Sequence, residues 1–340
     1  MQAGAVLVVS KPRETAQDGW GAPENAQSST EPALACVEIL GQSVLERTIH
    51  RLQQAGVNLI DVVAQDGLAG LVTSQYSPAV GLRPVDSEGD SWFVADRLLK
   101  EQAMRGAEHV LLIGLDAYAE FDVAELLRFH HRMGRPLTRA RDFQGPLSFC
   151  VVDTDTLGET AYRRLLQLRE SNEADSSFGS YTIMGYVRRL TGSRDLRRLV
   201  VDAFLRRCTL TPGGQEVKPG VWIDDAAFVH RASRIVAPAY IGRRAKVSEC
   251  ALITRFSNVE SGCHVDCGAM IEDSSVLADT YVGRGLDVAH AVVAGNTFVH
   301  LRRNLVMKID DGNLFRTRRK IVPSLFTMAG SVKPRNMFLM

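Results

Sequence analysis

From Ile223 to Leu277 an aliphatic residue returns at every sixth position: Ile223, Val229, Ile235, Ile241, Val247, Ile253, Val259, Val265, Ile271 and Leu277. Four places after each of the first nine stands a small residue: Ala227, Ser233, Ala239, Ala245, Ala251, Ser257, Cys263, Ala269 and Ser275. An α-helix needs apolar residues at spacings that mix three and four, and a half-buried strand alternates every second residue, so neither accommodates this pattern. A period of six belongs to parallel β coils stacked into a prism with a continuous dry core. The aliphatic side chain fills the interior. The small one lies inward near a corner, where a larger group would strike the neighbouring wall. After Leu277 the pattern slips by one, because Tyr281 stands where a small residue is due and Val282-Gly283 restarts it. Val288 and Val292 continue it less cleanly, and extension toward Ile309 at about eighteen residues per coil predicts about four to five coils.

Upstream the grammar changes. Ala5 to Val9 is a short continuous apolar run, as a buried parallel strand requires. Ser10 to Thr30 is polar and rich in Pro and Gly, and reads as a long loop. Cys36 to Leu40 is a second apolar run, and Gly41 is a turn. A helix is predicted from Ser43 to Ala55, with Val44, Leu45, Ile49 and Leu52 on one face and Gly56 as its stop. Strands are predicted at Leu59–Val63, Val80–Val85, His109–Ile113 and near Leu147–Val152. They alternate with helices at Trp92–Arg105, Asp122–Arg132 and Thr156–Arg169, which argues for a mostly parallel sheet covered on both faces. Glu170 to Ser180 reads as a loop, and Asp195 to Arg207 as an Arg-rich amphipathic helix. The expected organisation is an α/β domain over residues 1–194, a connecting helix and linker over 195–220, the repeats over 221–315 and a basic tail over 316–340.

Composition bounds the function. A net charge near +1 over 340 residues gives no global field to attract nucleic acid. The six cysteines are scattered rather than arranged as a disulfide framework, which suits a reducing compartment. Cys263 and Cys267 are spaced like half a metal site, but Cys263 falls in a small inward slot and reads as packing. The apolar run Ala5–Val9 is too short for a signal peptide, and no stretch is long enough to cross a bilayer. A cytoplasmic protein is therefore expected. The tail Arg316-Thr-Arg-Arg-Lys320, followed by apolar residues to Met340, reads as a cap over the prism with a solvated end, or as a contact for an anionic membrane surface.

The repeats resemble the left-handed β-helix of hexapeptide-repeat proteins, in which three hexapeptides complete a triangular coil. An α/β domain leading through a helix into such a prism resembles the sugar-nucleotide pyrophosphorylases, nucleotidyltransferases that join a sugar 1-phosphate to a nucleoside triphosphate. Val37 to Val57 looks like the family's segment after its catalytic loop. The run Val110 to His130 is similar to the strand and helix around its metal-binding aspartate, here Asp116. The resemblance implies a Rossmann-like nucleotidyltransferase domain, Mg2+ held at Asp116, and a nucleoside triphosphate or nucleotide sugar as ligand. Partners implied are a second copy of the chain or another component of polysaccharide synthesis.

At the active site the chain departs from that family. The loop after Val9 reads Ser10-Lys-Pro-Arg-Glu14, with no glycine to let backbone amides approach phosphate. Lys11 and Arg13 remain as phosphate ligands or as solvated loop residues. The lysine expected before Cys36 is absent, as Glu31-Pro-Ala-Leu-Ala35 shows, and Asp90-Ser-Trp-Phe-Val94 replaces the nucleotide-contacting Gly-Thr-Ala. The stretch from Leu137 to Val152 is too brief for a sugar-binding segment. Asp116 is read as a magnesium ligand at a strand end or as a loop or helix-entry residue. His130 and His131, at a predicted helix end, favour dipole compensation or solvent exposure over metal ligation. Two functions follow as expectations: a non-catalytic nucleotide-sugar-binding, regulatory or assembly protein, and an active nucleotidyltransferase. A hexapeptide acyltransferase using His264, His290 or His300 ranks below both, because the unbroken repeats leave no room for an extruded catalytic loop.

Overall fold

The chain is described from a computed structural model covering residues 2–9, 33–65, 80–85, 91–156 and 178–318. The expected loop at 10–30, with Lys11 and Arg13, lies outside the described residues, as do the expected helix beyond Thr156 and the tail beyond Arg318. The architecture is mixed α/β, dominated by parallel sheet with few helices.

One sheet has seven strands in the order β10-β8-β9-β6-β1-β4-β5. These are β1 (Ala3–Val9), β4 (Leu59–Gln65), β5 (Val80–Val85), β6 (His109–Gly114), β8 (Leu137–Asp142), β9 (Gly145–Asp153) and β10 (Gly179–Thr182). Between β1 and β4 a short hairpin, β2 (Glu38–Ile39) and β3 (Gln42–Ser43), leads into α1 (Val44–Gln54). The strand β1 runs parallel to both β4 and β6, whereas β9 runs antiparallel to β6 and β8. Alternate residues of β1 serve two cores, since Ala5, Leu7 and Val9 pack with α1 while Val6 and Val8 pack with α2 (Ser91–Met104). That two-faced burial is why the run is continuously apolar. A capping box starts α1: Ser43 Oγ accepts from Glu46 N at 3.1 Å, and Glu46 Oε2 accepts from Ser43 N at 2.5 Å. The expected second apolar run at 36–40 is a single 3-10 turn at Leu34–Cys36 followed by the hairpin, rather than a strand of the main sheet. Neither β8 nor β10 was expected: Leu137-Thr-Arg-Ala-Arg-Asp142 carries charge at three of its six positions, and β10 begins inside the expected loop that ends at Ser180.

Beyond β6 come β7 (Ala117–Ala119), α3 (Val123–Met133), β11 (Val187–Arg189) and α4 (Ser193–Phe204). From Val221 the chain winds through three parallel sheets, each taking every third strand. Val221 pairs with Ala239 and Ala239 with Ser257, which are steps of eighteen. Val247, Ile253, Val259, Val265 and Ile271 stack without solvent exposure, and Cys263 fills its small inward slot. The slip in the pattern lies earlier than the sequence places it. Asn258 pairs with Ser275, His264 with Tyr281 and Met270 with Asp287, all steps of seventeen. One residue is therefore missing from the turn at Asp273, whose φ is +45°. Val276 takes the interior, Ser274 takes the small slot, and Leu277 faces outward toward α4.

Parallel stacking also stops before Ile309. Ala291–Ala294 is followed by Thr297–His300 and Leu305–Lys308, which pair antiparallel, and Phe315–Thr317 pairs antiparallel with Thr280–Val282. Phe315 closes the core at this end. Among the described residues no sheet closes into a barrel, and no helix is long and apolar enough to cross a membrane.

Candidate functional site

Asp116 follows the C-terminal end of β6, the edge of an open α/β sheet where ligands gather. Its neighbours are fixed from both sides, because Leu115 N donates to Val8 O at 2.9 Å and Leu190 N donates to Asp116 O at 2.7 Å. The side chain is exposed, and its Oδ2 accepts from Ser148 Oγ of β9 at 2.7 Å. Crowding by surrounding protein raises its proton affinity, opposed by the Ser148 hydrogen bond and by the Arg189 and Arg139 guanidiniums. Those arginines are themselves held: Arg189 pairs with buried Asp142 at 2.9 Å and donates to Pro146 O at 3.2 Å, while Arg139 Nε donates to Leu147 O at 3.3 Å. Beside Asp116, the rings of Phe121 and Phe149 meet at 4.6 Å between centroids. With Thr48, Leu115 and Leu147 they leave a cavity of about 20 Å³, room for about one water. A broad surface depression of about 470 Å³ lies at the opposite edge, beside Gln2, Gly56 and Glu108.

The second concentration of polar chemistry is the contact between the β2–β3 hairpin and the repeats. Leu40 and Gly41 turn through the left-handed region, at φ +52° and +91°, which aims their amides at Glu260. Glu260, fully buried, accepts from Leu40 N at 2.7 Å, Gly41 N at 3.1 Å and Asn258 Nδ2 at 2.6 Å. Glu38 reaches the next residue and accepts from Ser261 Oγ at 2.6 Å. Burial raises the proton affinity of both carboxyls; Glu38 adds to that of Glu260, and Glu46 and Asp279 add to that of Glu38. Helix α4 seals the flank by burying Leu196, Leu199, Val200 and Phe204 against Tyr240, Trp222 and Leu277. At about 1.5–3 kcal/mol for each fully buried side chain, this is a large apolar contact. Arg197, also buried, donates to Asp273 Oδ1 at 2.7 Å and to Phe256 O at 2.8 Å. Nothing in the sequence singles out Glu260; the hairpin docked on the coils covers it.

The histidines divide differently from expectation. His131 is exposed, but His130 is buried, its nitrogens engaged by Thr138 and Asp153. In the repeats, His290 is tied to Asp273 at 2.6 Å, and His264 Nε2 lies 3.1 Å from Ser248 Oγ. No protein-family model matches the chain, and no curated protein matches it.

Proposed function

We propose that the chain is a sugar-nucleotide pyrophosphorylase-like protein of polysaccharide or cell-envelope sugar metabolism, which binds a nucleotide sugar and serves a regulatory or assembly role without turnover. The order of the seven-stranded sheet, with helices on both faces and β9 reversed, supports a Rossmann-like nucleotidyltransferase descent. Three parallel sheets repeating every third strand support reading the second half as a left-handed β-helix of hexapeptide repeats. A prism of this kind offers flat faces for a second copy or a synthesis partner.

The observation that carries the non-catalytic reading is the charge around Asp116, whose charged neighbours are the guanidiniums of Arg139 and Arg189. Transfer needs magnesium on the phosphates as well as an acceptor placed in line with the α-phosphorus. Magnesium fits these residues poorly. It takes a near-octahedral set of oxygen ligands, whereas the Asp116 carboxyl already accepts from Ser148 Oγ at 2.7 Å and lies beside those two guanidiniums. Such a surrounding suits an anionic diphosphate better than a cation. The alternative, an active nucleotidyltransferase, rests on the exposure of Asp116 at a strand's C-terminal end. Titration with nucleoside triphosphates and nucleotide sugars, followed by pyrophosphate-release assays with sugar phosphates, separates the two. Saturable binding without turnover is expected; turnover lost in Asp116→Ala would establish the enzyme instead.

A further inference from the structure

At the other edge of the same sheet, three side chains from three elements converge. His109 begins β6, His130 lies in the last turn of α3, and Asp153 ends β9. The register of β6 against β9 sets His109 directly opposite Asp153. Asp153 Oδ1 lies 2.6 Å from His109 Nδ1 and 3.1 Å from His130 Nε2. The three ligand-capable atoms all lie within 4.8 Å of one another.

We propose that His109, His130 and Asp153 form a binding site for one divalent ion of the zinc class. Two imidazole nitrogens and a carboxylate oxygen are a donor set for late first-row ions, whereas magnesium and calcium take oxygen. In a tetrahedral zinc site, bonds of about 2.0–2.1 Å put ligand atoms about 3.3 Å apart. The two separations from Asp153 Oδ1, 2.6 and 3.1 Å, are shorter than that distance, so the side chains must rotate slightly apart to admit the ion. The outer nitrogen of His130 is already anchored, with Nδ1 2.7 Å from Oγ1 of Thr138, which is itself fully buried. A hydrogen bond on the non-ligating nitrogen is the arrangement that orients metal-bound histidines. Asp153 is part-exposed, which gives the ion a way in. Water can take the remaining position, as in zinc sites with three protein ligands. A bound ion would tie the start of β6 to the ends of α3 and β9. This inference is independent of what binds at Asp116.

The test is titration of the chelator-stripped full chain with Co2+, read by its ligand-field absorption. The expected result is one Co2+ per chain in a low-coordinate site, displaced by Zn2+ and not by excess Mg2+. His109→Gln and Asp153→Asn, at positions not wholly buried and checked for folding by circular dichroism, should abolish the band. Thr138→Val should weaken binding about 10- to 100-fold. A purely hydrogen-bonded cluster would take up no Co2+. That outcome, or an unchanged band in the folded double variant His109→Gln/Asp153→Asn, would overturn the proposal.

Discussion

The buried carboxyl of Glu260 makes the hairpin–repeat contact sensitive to pH, and the direction follows from its surroundings. Burial and the neighbouring Glu38 push the Glu260 carboxyl up from 4.5 to about 8, against the hydrogen bonds from Asn258, Leu40 and Gly41. The folded chain therefore binds more protons than the unfolded chain between those values, and stability falls as pH rises through that window. Each pH unit costs at most about 1.4 kcal/mol, or about 5 kcal/mol across the window as an upper bound. Glu260→Gln, which cannot ionise, should remove most of this slope; its amide nitrogen would face the Gly41 N–H without accepting from it, which costs about 1–3 kcal/mol near pH 6. Glu260→Ala leaves the amides of Leu40 and Gly41 without their acceptor. At about 1–3 kcal/mol for each buried unsatisfied group, it should lose about 2–6 kcal/mol at pH 6. Urea unfolding of the full chain from pH 5 to 9 measures all three proteins. A wild-type stability that rises with pH in this window, or a Glu260→Gln slope equal to wild type, would refute the reasoning.

Other changes test other parts of the fold. Val276→Ser should cost several kcal/mol, in the range of about 2–5 for emptying a core position, while Leu277→Ser costs distinctly less, since Val276 and not Leu277 is interior; thermal melts decide the order. Ser43→Ala removes the capping box of α1 and should lower stability by about 1 kcal/mol in chemical denaturation. Arg197→Ala leaves the part-exposed Asp273 with His290 alone and Phe256 O without its donor, so a loss of about 1–3 kcal/mol is expected by the same measurement.

What the sequence displays, and what it conceals, follows from where each interaction lies along the chain. The coils and β1 are legible because one residue's neighbours in sequence report its burial. The five-residue step from Ile271 to Val276 is not, since Leu277 is also aliphatic and keeps the apparent period intact while pointing toward α4. Only the strand pairings reveal the missing residue. Asp116 was visible as the end of an apolar strand, but the rings that fill the space beside it come from residues 121 and 149, joined by folding alone. Glu260 and Leu40 lie 220 residues apart, and the burial of that carboxylate depends entirely on their meeting. His109, His130 and Asp153 share no local motif. The antiparallel return of β9, not a spacing, assembles them.

The central claim is that the Asp116 edge binds without turning over. The most direct test is one titration of the full chain with nucleotide sugars and nucleoside triphosphates, with and without Mg2+, coupled to pyrophosphate detection over a panel of sugar 1-phosphates. Saturable binding of a nucleotide sugar, weakened in Arg139→Ala and accompanied by no pyrophosphate, is the result the account predicts. Magnesium-dependent pyrophosphate release that disappears in Asp116→Ala would contradict it.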